Sequence, residues 1–253
     1  MSATGSLEAQ LDSGSWSAVD VARAQGPSSL AVLRRYAHHE NPHLRQIAVA
    51  AAGAVGAPEA AELLAEALSD PSINVRISAA AALSKRAYPG ATDAVLAQLA
   101  TSPDEPVRES LALAAGRLPG PRTLETLKPL AEGRSGLARN ARLALVKLVE
   151  PGARAEYLAT FAAPTPTARY EALVALAYVN DPALLEHATR LLSDRADALA
   201  IGTVHDVKYR RVCDAAVDAL AAAGAVRVSF PVNPERIYSD EELRQVSAAA
   251  TTR

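Results

Sequence analysis

The residues that could do chemistry in this 253-residue chain are five histidines, one cysteine, and arginines and carboxylates at regular spacing. His38, His39 and His43 fall close together, while His187 and His205 stand apart. A metal centre needs several N, O or S donors converging at fixed distances. His38-His39-Glu40 is one local group, so these residues read as turn residues. Cys213 follows Arg210 and Arg211, neighbours that can lower a thiol's pKa; the preferred reading is a buried, inert thiol. Asp214 and Asp218 lie one helical turn apart and could face the residues inserted before them, but spacing alone does not make an acid–base pair. No P-loop, dinucleotide-binding, nucleophile-elbow or zinc signature occurs. No catalytic, cofactor-binding or metal-ligating residue is assigned, and no cofactor is expected.

The elements that position these residues follow from composition and period. Alanine supplies 57 residues and leucine 31, against seven Tyr, two Phe and one Trp. Ala and Leu are strong helix formers, and β-branched runs are scarce, which excludes an all-β sandwich or barrel. A core so poor in aromatics must be built from small side chains at close backbone approach. Twenty-six Lys+Arg against 28 Asp+Glu give a net charge of −2, which argues against a dedicated nucleic-acid binder. A single cysteine excludes an intramolecular disulfide and a multi-Cys zinc site. No secretory signal and no membrane-spanning run is visible, so a cytoplasmic protein without membrane insertion is expected.

Prolines stand at Pro27, Pro58, Pro89, Pro121, Pro151 and Pro182, in steps of 31, 31, 32, 30 and 31. Arginines stand at Arg45, Arg76, Arg108, Arg139 and Arg169, in steps of 31, 32, 31 and 30. Two residue types keeping one period predict a tandem repeat. Each unit reads as two helices. In the clearest, Pro58–Leu68 is the first helix, with Pro where a missing N–H costs nothing. Ser69–Asn74 is a turn, and Val75–Ala87 the second helix. Relative to each arginine, positions −1, +3, +6 and +7 are nearly always apolar, one stripe of a 3.6-residue period. Such hairpins bury their apolar faces only by stacking, which predicts an all-α solenoid.

The V-R-x-x-A-x-x-A-L second helix after a D-P turn resembles HEAT repeats, and the short period is most similar to the HEAT-like subfamily named after phycobilisome lyases. The resemblance covers roughly Pro27 to Gly224. It implies a scaffold or binding surface, less often an enzyme, and is specific for fold rather than function. HEAT-type iron hydroxylases such as deoxyhypusine hydroxylase need His-Glu pairs at several repeats. Here the equivalent turns carry Leu68-Ser69-Asp70, Ser102-Pro103-Asp104 and Gly133-Arg134-Ser135, without histidine. HEAT-like DNA glycosylases use a basic cleft with Trp; Trp16 lies outside the repeats. In HEAT-like stacks the arginine pairs with a turn Asp or with carbonyls of the neighbouring layer, and Asp70 with Arg76 and Asp104 with Arg108 fit that pattern.

The expected organisation is an N-terminal cap over residues 1–26, holding Trp16, six repeats over 27–224, and a C-terminal cap over 225–253. The sixth repeat is interrupted. Cys213 takes the arginine position 31 residues after Pro182 instead of 18, so about 13 residues are inserted, within 193–206. The insertion reads as a surface loop or an extension of either helix, with recognition as the alternative. Val226–Val232 could be extended, and Ser239–Glu242 reads as a capping box opening a short helix.

The estimated outward positions of the second helices include Lys85, Arg117 and Lys147, together with Glu109, Glu171, Ile47, Ile77, Leu113, Val174, Tyr170 and Tyr178. Thin charge interleaved with apolar and tyrosine residues suits a protein partner better than phosphates. The expected function is a non-catalytic protein–protein interaction scaffold or adaptor. Its candidate contacts are Lys85, Arg117, Lys147, Tyr170, Tyr178, Arg195 and His205. The alternative is an enzyme on the same scaffold, bilin-lyase-like or less readily DNA-glycosylase-like; a deep cleft with convergent Asp, Arg and aromatic side chains would favour it, and a shallow groove the adaptor.

Overall fold

The computed structural model of the chain describes residues 6–203 and 206–251. The chain forms two compact units, one ending at Leu148 and the other starting at Val149. The fold class is all-α, of the solenoid type built from HEAT-like helical hairpins, with one small two-stranded sheet.

The first unit contains α1 (Leu7–Asp12), α2 (Ser17–Gln25), α3 (Leu30–Ala37), α4 (Pro42–Val55), α5 (Ala61–Ala67), α6 (Ile73–Lys85), α7 (Thr92–Thr101), α8 (Glu105–Ala115), α9 (Pro121–Leu130) and α10 (Gly136–Lys147). The repeating prolines open the first helices: Pro58 and Pro89 head 3₁₀ turns, and Pro121 is the first residue of α9. The second helices α4, α6, α8 and α10 pack on one another in order, and α2 lies against α4. The apolar stripe forms the core. Leu44, Ala48, Ala51 and Ala52 of α4 are buried, as are Val75, Ala79, Ala82 and Leu83 of α6 and Val107, Leu111, Ala114 and Ala115 of α8. Each leucine so buried contributes about 1.5–3 kcal/mol. The alanines set how closely the helices approach, and Gly53 sets the limit: a Cβ there would lie 2.4 Å from that of Ala82.

Two members of the arginine row in this unit, Arg45 and Arg76, form an internal ladder whose register differs from expectation by one layer, while Arg139 is exposed. Arg45 holds Asp70 (Nε–Oδ2 2.7 Å, Nη2–Oδ1 2.8 Å), and Arg76 holds Asp104 (Nε–Oδ2 2.8 Å). Each arginine thus takes the aspartate of the following turn. The Nη1 of Arg76 donates to the Asp70 and Pro71 carbonyls of its own turn, so Asp70 meets Arg76 through its backbone while its carboxylate faces Arg45. Arg108 donates instead to the Leu99 carbonyl at 3.0 Å, since the next turn, Gly133-Arg134-Ser135, holds no aspartate.

The second unit contains α11 (Pro151–Thr160), α12 (Pro166–Val179), α13 (Leu185–Arg190), β1 (Asp197–Thr203), β2 (Asp206–Arg211), α14 (Val212–Ala222) and α15 (Asp240–Thr251). Within this unit the Arg169–Asp194 pair (2.7 Å) has the same arrangement as Arg45 with Asp70. The inserted segment is neither a plain loop nor a helix extension. It is an antiparallel β-hairpin, with Ala200 opposite Tyr209 and Gly202 opposite Val207. Alternating residues such as Val207-Lys208-Tyr209-Arg210 suit a pleated strand, and Gly202, at φ 96°, leaves room where a Cβ would lie 2.2 Å from the Asp206 carbonyl. The segment Val226–Val232 forms no strand. The capping box at Ser239 is present: its N–H donates to Glu242 Oε2 (2.8 Å), and the Glu242 N–H to its Oγ (3.3 Å).

Candidate functional site

The end of β2 feeds directly into α14, which places Arg210, Arg211, Asp214 and Asp218 together. Arg210 is only 1% exposed. Its Nη2 pairs with Asp218 Oδ2 at 2.7 Å, its Nη1 donates to Tyr170 Oη at 3.0 Å and to the Pro234 carbonyl, and its Nε donates to the Arg236 carbonyl at 2.9 Å. The Tyr238 hydroxyl donates to Asp218 Oδ1 at 2.7 Å. Asp214, fully buried, accepts from Arg211 Nη2 (2.9 Å) and from the backbone N–H groups of Arg211 (2.8 Å) and Tyr238 (3.0 Å). Burial pushes the Asp218 carboxyl above its ordinary value, against the hydrogen bonds of Tyr238 and Arg210. Burial and the hydrogen bond to Asp218 raise the Tyr238 hydroxyl. The network is closed on itself: each buried charge has an opposite charge and further hydrogen bonds, the condition under which such groups are tolerated.

Over this network lies a groove of about 870 Å³. Its walls are apolar: Leu173 and Val174 from α12, Leu199 from β1, and Phe230 and Val232 from the irregular C-terminal segment. Val174 is 57% exposed, Leu199 44% and Val232 38%. Tyr170, Arg210 and Asp218 reach it from the floor. The arrangement offers hydrophobic grip around a saturated polar base.

The expected contact residues separate. Tyr170 is buried and holds Arg210, so it is not an outward anchor; residue +1 of α12 faces the inserted strands, whose form and packing the spacing did not announce. Ile47 is buried as well, and Ile77 and Leu113 are half-buried. Tyr178 is half-buried and Arg195 exposed, with its guanidinium 3.2 Å from Asp240. His205 lies outside the described residues. In the first unit Lys85 is exposed, while Arg117 and Lys147 are half-buried. Arg117 Nε donates to the Ser84 carbonyl at the end of α6 (2.7 Å). Burial, and then the Arg117 charge, hold Lys147 below the usual lysine range.

Cys213 is buried, and burial raises its thiol despite a 3.4 Å hydrogen bond from Arg195. The histidines take local roles. His39 stacks on Tyr36, His43 meets Trp16 edge-on, and His187 stacks on Phe161. Among the described residues no group of three His, Cys, Asp or Glu could hold a metal ion, and no helix is long and apolar enough to cross a membrane. The Arg210–Asp218–Tyr238 cluster was only partly readable in advance. Asp214 and Asp218 were visible one turn apart, but nothing local linked them to Tyr170 and Tyr238.

The chain belongs to the HEAT-repeat family. The family model described as HEAT repeats matches residues 16–83 and 61–146, together just over half of the sequence. Comparison with curated proteins gives no match. Among solved structures, the chain is similar in fold to the complex of CpcE and CpcF of phycocyanin lyase from Nostoc sp. PCC7120, with a TM-score of 0.58 and 19% identity, covering 100% of this chain and 91% of that one. YibA of Escherichia coli gives a TM-score of 0.45 at 18% identity, over 82% of this chain and 75% of that chain. Human deoxyhypusine hydroxylase in complex with glycerol gives 0.32 at 20% identity, over 88% and 81%. The lyase likeness agrees with the phycobilisome-lyase type of HEAT-like repeat expected from the short period.

Proposed function

We propose that this chain is a non-catalytic binding module that docks a partner protein in the groove of its second unit. The observation that carries this reading is the contrast within the groove. Its walls leave large apolar side chains in solvent, whereas the polar groups at its floor satisfy one another. Exposed contiguous apolar surface marks interaction sites. A carboxylate already bonded to an arginine and a tyrosine must give up those hydrogen bonds before it exchanges a proton with a substrate. The similar lyase structure is itself a complex of two proteins, which is in keeping with a protein partner. Val174, Leu199 and Val232 are the central contacts. Tyr178 and Arg195 lie outside the groove lining in the same unit, whereas Lys85, Arg117 and Lys147 belong to the first unit and are not part of this groove.

The test is affinity capture from the native host with wild type and Val174→Asp. Val174 is exposed, so the substitution leaves folding intact, and a protein held by wild type is lost from the variant. Retention of the same protein at an undiminished level overturns the reading. A second reading, a lyase-like enzyme, is favoured by one observation: Asp218, Arg210 and Tyr170 do converge on the groove. It requires that free bilin bind the purified chain and that Asp218→Asn abolish its transfer to an acceptor protein.

A further inference from the structure

The first unit carries a second groove, of about 780 Å³, which the reading above does not use. It crosses α4, with α2 on one side and α6 on the other. Its floor is made of Ala50, Gly53, Ala54, Ala81 and Ala82, side chains too small to keep a ligand's backbone at a distance. Trp16 stands at its α2 side, 48% exposed and edge-on to His43 at 6.3 Å between ring centroids. A half-exposed indole beside a shallow apolar floor is the kind of side chain that anchors a docked segment.

The charges around this groove are unevenly matched. Arg23 is paired with Asp20 at 2.7 Å. Lys85 and Arg86, at the end of α6, are exposed, and among the described residues neither forms an ion pair. The partial negative charge at a helix C-terminus attracts such cations, but Arg117 already donates to the Ser84 carbonyl there. Arg86 is beyond the helix, in extended backbone (φ −140°, ψ 159°). Two cations therefore face the groove without a carboxylate of their own.

We infer that this groove docks an acidic peptide segment of a partner protein, with an apolar side chain against Trp16 and the alanine floor and carboxylates on Lys85 and Arg86. Single-stranded nucleic acid suits it less well. A phosphate chain crossing from α6 towards Trp16 would run against Asp20, and the chain as a whole carries a charge of −2. A peptide can present an uncharged residue at that point.

Trp16 is the only tryptophan, so its emission reports directly on the groove. The full chain is titrated with a short peptide of alternating Glu and Leu, with its Lys/Leu counterpart, and with oligothymidylate. The acidic peptide gives a saturable blue shift, weakened by added salt as expected for exposed charges. Lys85→Glu/Arg86→Glu weakens it about tenfold or more, a loss of about 1.4 kcal/mol, with an unchanged circular-dichroism melt. Val174→Asp leaves the titration unaltered, so this surface and the groove of the second unit stand or fall separately. An acidic peptide that leaves Trp16 emission unshifted, undiminished binding by the charge-reversed variant, or equal affinity for oligothymidylate overturns the inference.

Discussion

Arg45 grips Asp70 with two nitrogens, at 2.7 and 2.8 Å, across the boundary between consecutive repeats. Asp70 also accepts from the Ser72 N–H at 2.7 Å, so one carboxylate shapes its own turn and fastens the preceding layer. Both side chains are largely buried. Removing one partner of such a pair leaves the other charge uncompensated. Asp70→Ala is therefore expected to cost about 3 kcal/mol, read as a lower urea midpoint, whereas Arg122→Ala, which breaks an exposed pair with Asp93, is expected to leave the midpoint nearly unmoved.

The same ladder sets an acid limit. Burial pushes Asp70 up, but the hydrogen bonds of Arg45 and Ser72 and the charges of Arg45 and Arg76 outweigh it and hold its carboxyl below the ordinary aspartate value. Asp181 is lowered by its hydrogen bond from Arg154, against a smaller effect of burial. A group whose folded pKa lies below its unfolded value stabilises the fold fully above the unfolded value, and loses that contribution as pH falls through the folded one. Tm is expected to change little with Asp70 protonation above about pH 5 and to fall below about pH 4. In Asp70→Asn the fall is shallower; an unchanged slope would show that Asp70 contributes none of it.

Arg210 is almost wholly buried. Arg210→Met is expected to destabilise by about 3–5 kcal/mol, since Asp218 stays behind. Tyr170→Phe removes one hydrogen bond to that guanidinium and costs about 1.5–3 kcal/mol. Both are measured by chemical denaturation. The Tyr170 variant should still capture a partner that Val174→Asp loses, because Tyr170 is buried at the floor of the groove and the change keeps its ring.

Gly53 meets Ala82 where no side chain fits. Gly53→Val is expected to force α4 and α6 apart, at a cost of about 1–3 kcal/mol. A calorimetric Tm equal to that of the wild type would mean that the helices separate without penalty.

The repeat, its helical hairpins and the identity of the buried stripe were legible in the residues alone. Period, proline position and apolar spacing are local properties, and a stack of hairpins has few ways to satisfy them. Val75, Ala79, Ala82 and Leu83 are buried because their spacing leaves no other face to bury. The direction of the arginine ladder was not legible. Asp70 lies near Arg76 in sequence, and only the stacking of layers turns its carboxylate towards Arg45. Tyr170 was misplaced for a similar reason, since a neighbour contributed by an insertion decides which face of α12 is covered. Trp16 could be assigned to a terminal cap, but its place beside Lys85 and Arg86 joins residues almost seventy positions apart. Periodicity specifies which residues go inside; only the packed chain determines which of the remaining ones share a surface.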